Sequence, residues 1–250
     1  MTDEEAQMER YRLSFTVGGL LVAQSVTVAR VFLQLLDDAC SAESATSTND
    51  EAASESVDAS SRTSTPPDRV GSRIGDRELN TFWKQARQQV IDEHLLTVRT
   101  QTAMSRTVSE TIKRLSVLSL TELRFLTADD SMNADRSALM WVAMCRYYTL
   151  VGEFANEVLR DHYLLGKPTV TREDYDRFVY SKSLWHEELD QISDSTAKKL
   201  RSNLFQAMFE ARLLEKEGNT IIPSLLGSGL TDILEKRPDS FLFFPMRVES

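Results

Sequence analysis

A single long helical pattern, from Ala134 to Leu165, constrains the fold more than any other feature of the sequence. Apolar side chains recur in it at three- and four-residue spacing and cover much of the helix circumference. Such a helix is stable in water only when other elements surround it, so we expect it to lie at the centre of the core. The side chains expected to be buried there are Trp141, Cys145, Tyr148 and Phe154.

The rest of the chain is also predominantly helical in pattern. Further helices are predicted at about 20–38, 76–96, 102–116 with Thr102 as N-cap, 121–126, 171–181, 195–216 and 230–236, and Pro223 could open another. Short strands are predicted at 11–16, at 221–222 after the turn at Gly218-Asn219, and at 241–244. The predicted fold class is therefore mostly α, a multi-helix protein with a few short strands.

A polar stretch from Ser41 to Ser72 divides these patterns. Residues 37–60 carry seven acidic and no basic side chains, and almost no large apolar residue is present to offset the entropy of ordering. We expect a flexible acidic Ser/Thr-rich insertion at 41–75. It would separate an N-terminal strand and helix (1–40) from a basic helical region (76–127) and a C-terminal helical region with a small hairpin (128–250).

The motifs of common catalytic sites are absent from the sequence. It contains no P-loop, no G-x-G-x-x-G and no G-x-S-x-G, and its three histidines are too far apart to form a spaced ligand set with cysteine. We expect no catalytic residues, no metal and no cofactor. His186 is the best candidate for a special role, the alternative being a histidine that simply packs or caps at a helix boundary.

The sequence also predicts a cytoplasmic location. The acidic start is the wrong sign for a signal peptide, and polar residues interrupt the most apolar stretch, Leu13 to Leu36, so no membrane span is expected. Two cysteines, Cys40 and Cys145, do not suggest a disulfide framework.

Two basic islands stand out in a chain of net charge −9, residues 81–118 and residues 196–216, each of which sums to +3. The first contains Lys84, Arg87, Arg99, Arg106, Lys113 and Arg114. Two helices joined by a short break, the second bearing Arg, Ser and Thr, are consistent with helix-turn-helix geometry. The cations would neutralise phosphates, and Ser105, Thr107 and Ser109 could bond to the DNA backbone or base edges. The alternative is an ordinary helix hairpin with a solvated charged face.

The second island comprises Lys198, Lys199 and Arg201 at the start of a helix that is followed by the predicted hairpin. This order resembles a winged-helix layout. Cations at a helix N-terminus oppose the helix dipole, which a bound phosphate would relieve, but the cost is small enough to be tolerated without one. The candidate nucleic-acid-binding residues are therefore Arg99, Arg106, Lys113, Arg114, Lys198, Lys199 and Arg201.

Five segments, taken together, resemble the BrxA family of the BREX bacteriophage-exclusion systems. They are YRLSFTVGGLLVAQSVTVARVFLQL, IDEHLLTVRTQTAMSRTVSETIKRL, RSALMWVAMCRYYTLVGEFANEVLRDHYL, DYDRFVYSKSLWHEELDQISDSTAKKLRSNLFQAMFEARLL, and the pair IIPSLL and FLFFP. No single motif is diagnostic; the order and spacing of the segments carry the resemblance. The long acidic insertion departs from the family's compact pattern.

The resemblance implies a helical, non-enzymatic protein encoded with phage-defence machinery, with a NusB-like core and the ability to bind nucleic acid. From the resemblance and the basic islands together we expect double-stranded DNA and other BREX proteins as partners; the choice of DNA over RNA is not given by the sequence. We therefore expect a DNA-binding accessory component of a BREX system. The competing expectation is a structural adaptor that docks other BREX proteins without contacting nucleic acid.

Overall fold

The computed structural model describes residues 10–47 and 76–247 of the chain. These residues are mostly helical, which confirms the predicted fold class, and in this part of the chain the β contacts are isolated bridges. The α-helices are α1 Val22–Ser47, α2 Asp76–Asp92, α3 Gln101–Leu115, α4 Leu120–Thr127, α5 Asn133–Tyr147, α6 Thr149–Phe154, α7 Asp161–Leu164, α8 Arg172–Ser183, α9 Asp194–Glu210 and α10 Ser228–Leu234. A π-helical segment spans Ala155–Arg160, and 3₁₀ turns span Glu187–Leu189 and Pro238–Phe243.

The described residues fall into two compact units, within Met1–Val22 plus Ser131–Ser250 and within Ala23–Asp130. We call them the large unit and the small unit. The small unit contains α2, α3, α4 and nearly all of α1, and the large unit contains the later helices together with the segment that precedes α1. The described part of the predicted N-terminal region 1–40, residues 10–40, therefore contributes to both units. A NusB-like arrangement of the core stays a prediction.

Aromatic packing holds the small unit together. The ring of Phe32 on α1 stacks on that of Trp83 on α2, with centroids 3.7 Å apart, and α2 packs against α3. Helix α3 begins at an N-cap, Thr100, whose hydroxyl accepts a hydrogen bond from the N–H of Ala103. The predicted cap, Thr102, is therefore wrong by two residues, because Gln101 already lies in the helix.

The core of the large unit is built on α5 and α6, as the long apolar pattern predicts. Trp141, Cys145, Tyr148 and Phe154 are buried, which confirms that expectation. The indole N–H of Trp141 donates a hydrogen bond of 2.9 Å to the carbonyl of Phe243, so its one polar atom is satisfied inside the core.

The predicted single helix from 134 to 165 is wrong in one respect, because it breaks at Tyr148. That residue has φ −109° and ψ 92°, outside the helical region, and α6 restarts at Thr149. Gly152 permits the close approach of the two pieces, since a Cβ there would lie 2.9 Å from the carbonyl oxygen of Cys145. Beyond α6 the helix widens into the π-helical segment before α7.

The predicted strands are also corrected. Residues 11–16 form no strand in the described chain; the N–H of Tyr11 donates to the carboxylate of Glu188 at 2.5 Å, and the N–H of Thr16 closes a tight turn on the carbonyl of Ser14. Residues 241–244 lie mainly in a 3₁₀ turn. At 221–222 only isolated bridges form, although the predicted tight turn is present, with φ +83° at Gly218 and +54° at Asn219. No helix begins at Pro223.

Helix α1 extends further than predicted. It continues to Ser47, so the first residues of the expected insertion, from Ser41, are helical. The remainder of that insertion, 48–75, lies outside the described residues.

The C-terminus of α9 carries backbone strain that a substitution should relieve. Arg212 adopts φ +57°, while the N–H of Leu213 donates to the carbonyl of Met208 at 2.9 Å, the pattern of a Schellman cap. Glycine adopts this left-handed conformation at no steric cost, whereas other residues lose about 1 kcal/mol. We expect Arg212→Gly to raise the free energy of unfolding by about that amount in urea denaturation. Arg212→Ala, which retains the strain, is the control; equal stability of the two variants would refute this account.

Candidate nucleic-acid interface

Helix α3 is positioned by an apolar inner face and a capped start. Met104, Val108 and Leu115 are buried and hold the helix against the small unit's core. Lys113 lies in its last turn, where a cation is favoured by the helix dipole. The sequence therefore fixes which side of α3 faces solvent.

The outward face of α3 carries hydroxyls and cations. Its residues are Thr102, Arg106, Ser109, Lys113 and Ser116, which follow one another at four- and three-residue spacing and so share one side of the helix. All of them are exposed or half-buried. We call this set the α3 stripe. The helix has one carboxylate, Glu110, and its side chain is 3% exposed, so the stripe itself is free of negative charge.

Arg87 on α2 supports this stripe from beside it. Its guanidinium donates from Nη2 to the hydroxyl of Ser105 at 2.7 Å and from Nε to that of Ser109 at 3.3 Å. Each of these two hydroxyls accepts a hydrogen bond within the protein and keeps its O–H as a donor, so their bonding to DNA stays a prediction. Arg87 belongs to the first basic island, but its place beside α3 follows from the packing of two helices, which spacing in the sequence does not reveal.

The other cations of the first island differ in how much of their side chain is exposed to solvent. Arg99 is exposed and lies just before the N-cap of α3, and Lys84 is exposed on α2. Lys113 is partly exposed, with its Nζ 3.9 Å from the Glu110 carboxylate. Arg99, Arg106 and Lys113 thus keep solvent-accessible surface on α3 or next to its start.

The prediction that Arg114 contacts nucleic acid is wrong. Its side chain is 0% exposed and pairs with the buried carboxylate of Glu110 at 3.0 Å. A side chain with no solvent-accessible surface cannot contact a phosphate, so Arg114 belongs to the core of the small unit. Arginine is rarely fully buried unless it is paired, and here the partner lies one helical turn away.

The second island lies in the large unit, at the start of α9. Lys198 and Lys199 are exposed, whereas Arg201 is engaged by Asp176 on α8, its Nη1 donating to the carboxylate at 2.7 Å. After α9 the N–H of Glu215 donates to the carbonyl of Thr220, so the predicted hairpin is reduced to a few backbone contacts. Its likeness to a wing remains an expectation.

The side chain of His186 is packed in the interior of the large unit and does not line an open site. Its ring is buried and stacks on Tyr11 with centroids 3.7 Å apart, and Nδ1 lies 3.1 Å from Glu188. Burial and the hydrogen bond to Glu153 raise the pKa of the Tyr11 hydroxyl, which keeps it neutral. The cluster ties the segment before α1 to the large unit.

Residues 10–47 and 76–247 contain neither a metal site nor a membrane-spanning helix. No group of three or more His, Cys, Asp or Glu side chains in these ranges has the geometry to hold a metal ion. The helices described there are all too short or too polar to span a bilayer.

The sequence and the fold of this chain are both similar to those of known proteins. The model of the BrxA family matches residues 77–237. The BREX protein BrxA of Bacillus cereus (strain H3081.97) is 24% identical over 141 residues, covering 56% of this chain and 70% of that protein. The crystal structure of an uncharacterized protein from Magnetospirillum magneticum is similar with a TM-score of 0.61 and 16% identity, over 94% of this chain and 96% of the other. Because the family model matches more than half of its residues, the chain belongs to the BrxA family.

Proposed function

We propose that this protein is a non-catalytic component of a BREX bacteriophage-defence system and that it binds double-stranded DNA through α3. The similarity to a BREX protein supports membership of the system. The observation that carries the DNA-binding proposal is the α3 stripe, a solvent-facing row of hydroxyls and cations without a carboxylate, in a chain of net charge −9.

The physical argument rests on charge and shape. An α-helix fits the major groove of B-DNA, where Arg and Lys neutralise phosphates and hydroxyls bond to phosphate oxygens or base edges. An acidic surface elsewhere repels DNA and so confines contact to the basic face. Since most of these contacts go to phosphates, we expect modest sequence preference.

The loop before α3 bears on how the helix would dock. Residues 93–100 separate α2 from α3, a longer connection than the three- or four-residue turn of a typical helix-turn-helix. Arg87 links the two helices through Ser105 and Ser109, which supports a fixed orientation of α3 despite that longer loop. Lys198 and Lys199 would provide a second contact, and Arg201 would contribute less because Asp176 already holds it.

Charge removal on the α3 stripe should weaken DNA binding. We expect an Arg106→Ala, Lys113→Ala double variant to bind a labelled duplex about tenfold or more weakly in fluorescence anisotropy near physiological salt. The loss should be similar for duplexes of unrelated sequence, because phosphate contacts carry no sequence information.

The matched control removes the same charge elsewhere. Lys167 and Arg172 are exposed in the large unit, outside both basic islands, and a Lys167→Ala, Arg172→Ala variant should bind as the wild type does. Equal weakening of the two double variants would indicate only a general charge effect and would remove α3 from the proposal. No binding by the wild-type protein would favour the adaptor alternative.

A further inference from the structure

Large apolar side chains are exposed together at the C-terminal end of α8. The exposed fractions of Tyr180, Leu184 and Trp185 are 72%, 67% and 74%. Among the chain's three tryptophans, Trp83 and Trp141 are buried, so Trp185 is the exposed one. Tyr and Trp carry large contact areas and are enriched at protein interfaces. We call these three residues the α8 patch.

A groove adjoins the α8 patch. It lies between α8 and the first turns of α9, and its volume is about 340 Å³. The apolar walls are formed by Tyr175, Val179, Leu189, Ile192, Ala197 and Leu200. Tyr180 and Ser183 also line it, and Leu184 and Trp185 follow directly in the chain. Tyr180 therefore belongs to both the α8 patch and the groove, and the other two patch residues lie next to it in the chain.

The charge around this surface is predominantly negative. Residues 178–197 contain four carboxylates and one lysine. That lysine, Lys182, is held by Glu153 and Glu157 at 2.6 and 2.7 Å, whereas Glu187, Asp190 and Asp194 are exposed. On the α9 side, Arg201 is paired with Asp176, and the exposed cations at that edge are Lys198, which lines the groove, and its neighbour Lys199. A phosphate-rich partner would be repelled by most of this rim.

We propose that the α8 patch and its groove bind a short amphipathic helix of another protein, with apolar side chains on one face and Lys or Arg beside them. A groove between two helices accepts such a helix through side chains spaced three and four residues apart. Its cations would meet Glu187, Asp190 and Asp194, and an arginine could stack on the Trp185 ring. This inference goes beyond the proposed DNA binding, which is carried by α3 in the small unit; the groove shares only its α9 edge, at Lys198 and Arg201, with the second DNA contact. Loss of DNA binding on substitution of the α3 stripe and loss of peptide binding on substitution of the α8 patch are therefore separate results.

Trp185 provides the readout. The probe is a synthetic peptide of about 18 residues, or five helical turns, with Leu at helical spacing and Lys at the other positions. Binding should shift the exposed tryptophan's emission to shorter wavelength and protect it from acrylamide quenching. The same peptide with Glu in place of Lys should bind about tenfold or more weakly, since it would meet like charges.

Two single variants localise the contact, with a labelled peptide and anisotropy as the measurement. Tyr180→Ala should weaken binding about tenfold or more, because an aromatic anchor is lost. Leu225→Ala is the control, since Leu225 is the most exposed large apolar side chain among the described residues, at 94%, and is not part of the α8 patch. It should bind as the wild type does, and thermal unfolding should show that both variants remain folded.

Several results would overturn the proposal. The Leu/Lys peptide could leave Trp185 unprotected, or the Leu/Glu peptide could bind equally well. Protection of Trp185 by a single-stranded oligonucleotide instead of the peptide would identify a base-stacking surface. Self-association in sedimentation velocity that Tyr180→Ala abolishes would identify a second copy of the chain as the occupant.

Discussion

Arg114→Ala should destabilise the small unit severely, by about 3–5 kcal/mol, because it leaves the buried carboxylate of Glu110 without its main partner. The side chains of Arg114 and Glu110 are 0% and 3% exposed, so water cannot replace the lost ion pair. Urea denaturation followed by circular dichroism measures the effect. A variant used to probe DNA binding must therefore retain Arg114, since its removal tests folding.

Replacing both partners distinguishes a buried pair from a surface one. A Glu110→Leu, Arg114→Met double variant removes both charges at similar volume and should recover most of the lost stability. Arg114→Ala with the wild-type midpoint would show that the side chain is not buried. If that variant kept full stability and lost DNA binding, Arg114 would return to the interface.

Trp141→Ala should cost about 3–5 kcal/mol of unfolding free energy in the large unit, the range for a large aromatic deleted from a core. The indole is fully buried, and its loss also removes the hydrogen bond to the carbonyl of Phe243. Urea denaturation followed by circular dichroism again provides the measurement.

Trp185→Ala is the matched control, because it deletes the same atoms from a side chain that is 74% exposed. It should change the unfolding free energy by less than about 0.5 kcal/mol. Similar effects of the two substitutions would contradict the burial that distinguishes them.

The fate of α3 shows what helical periodicity can and cannot predict. The spacing of Met104, Val108 and Leu115 predicts both the helix and its inner face, and the structure confirms both. It also places Arg106 and Lys113 outward. Periodicity does not predict the burial of Arg114, because this residue lies at the edge of the inner face. Burial of an arginine there depends on whether a carboxylate is available to pair with it. Glu110 is that carboxylate, and the tertiary environment of the pair is not encoded in the spacing.

The helix break at Tyr148 and the absence of the predicted strand at 11–16 could not be predicted from spacing either. A segment apolar on most sides, such as 134–165, has the same pattern whether or not it breaks at Tyr148, so Gly152 is the main local signal. At 11–16, Tyr11 and Phe15 are buried and the side chains between them are less so, as in a strand. The backbone N–H of Tyr11 donates to the carboxylate of Glu188, and no strand of the described chain lies beside this segment. Long-range partners decide both cases.

The salt dependence of duplex DNA binding tests the central claim most directly. Phosphate contacts release counterions from the DNA. The logarithm of the association constant should therefore decrease linearly as the logarithm of the salt concentration increases. If Arg106 and Lys113 each contact a phosphate, the Arg106→Ala, Lys113→Ala variant should show a shallower dependence. The magnitude of its slope should be smaller than that of the wild type by about two. A folded variant with the wild-type slope would contradict the assignment of the interface to α3.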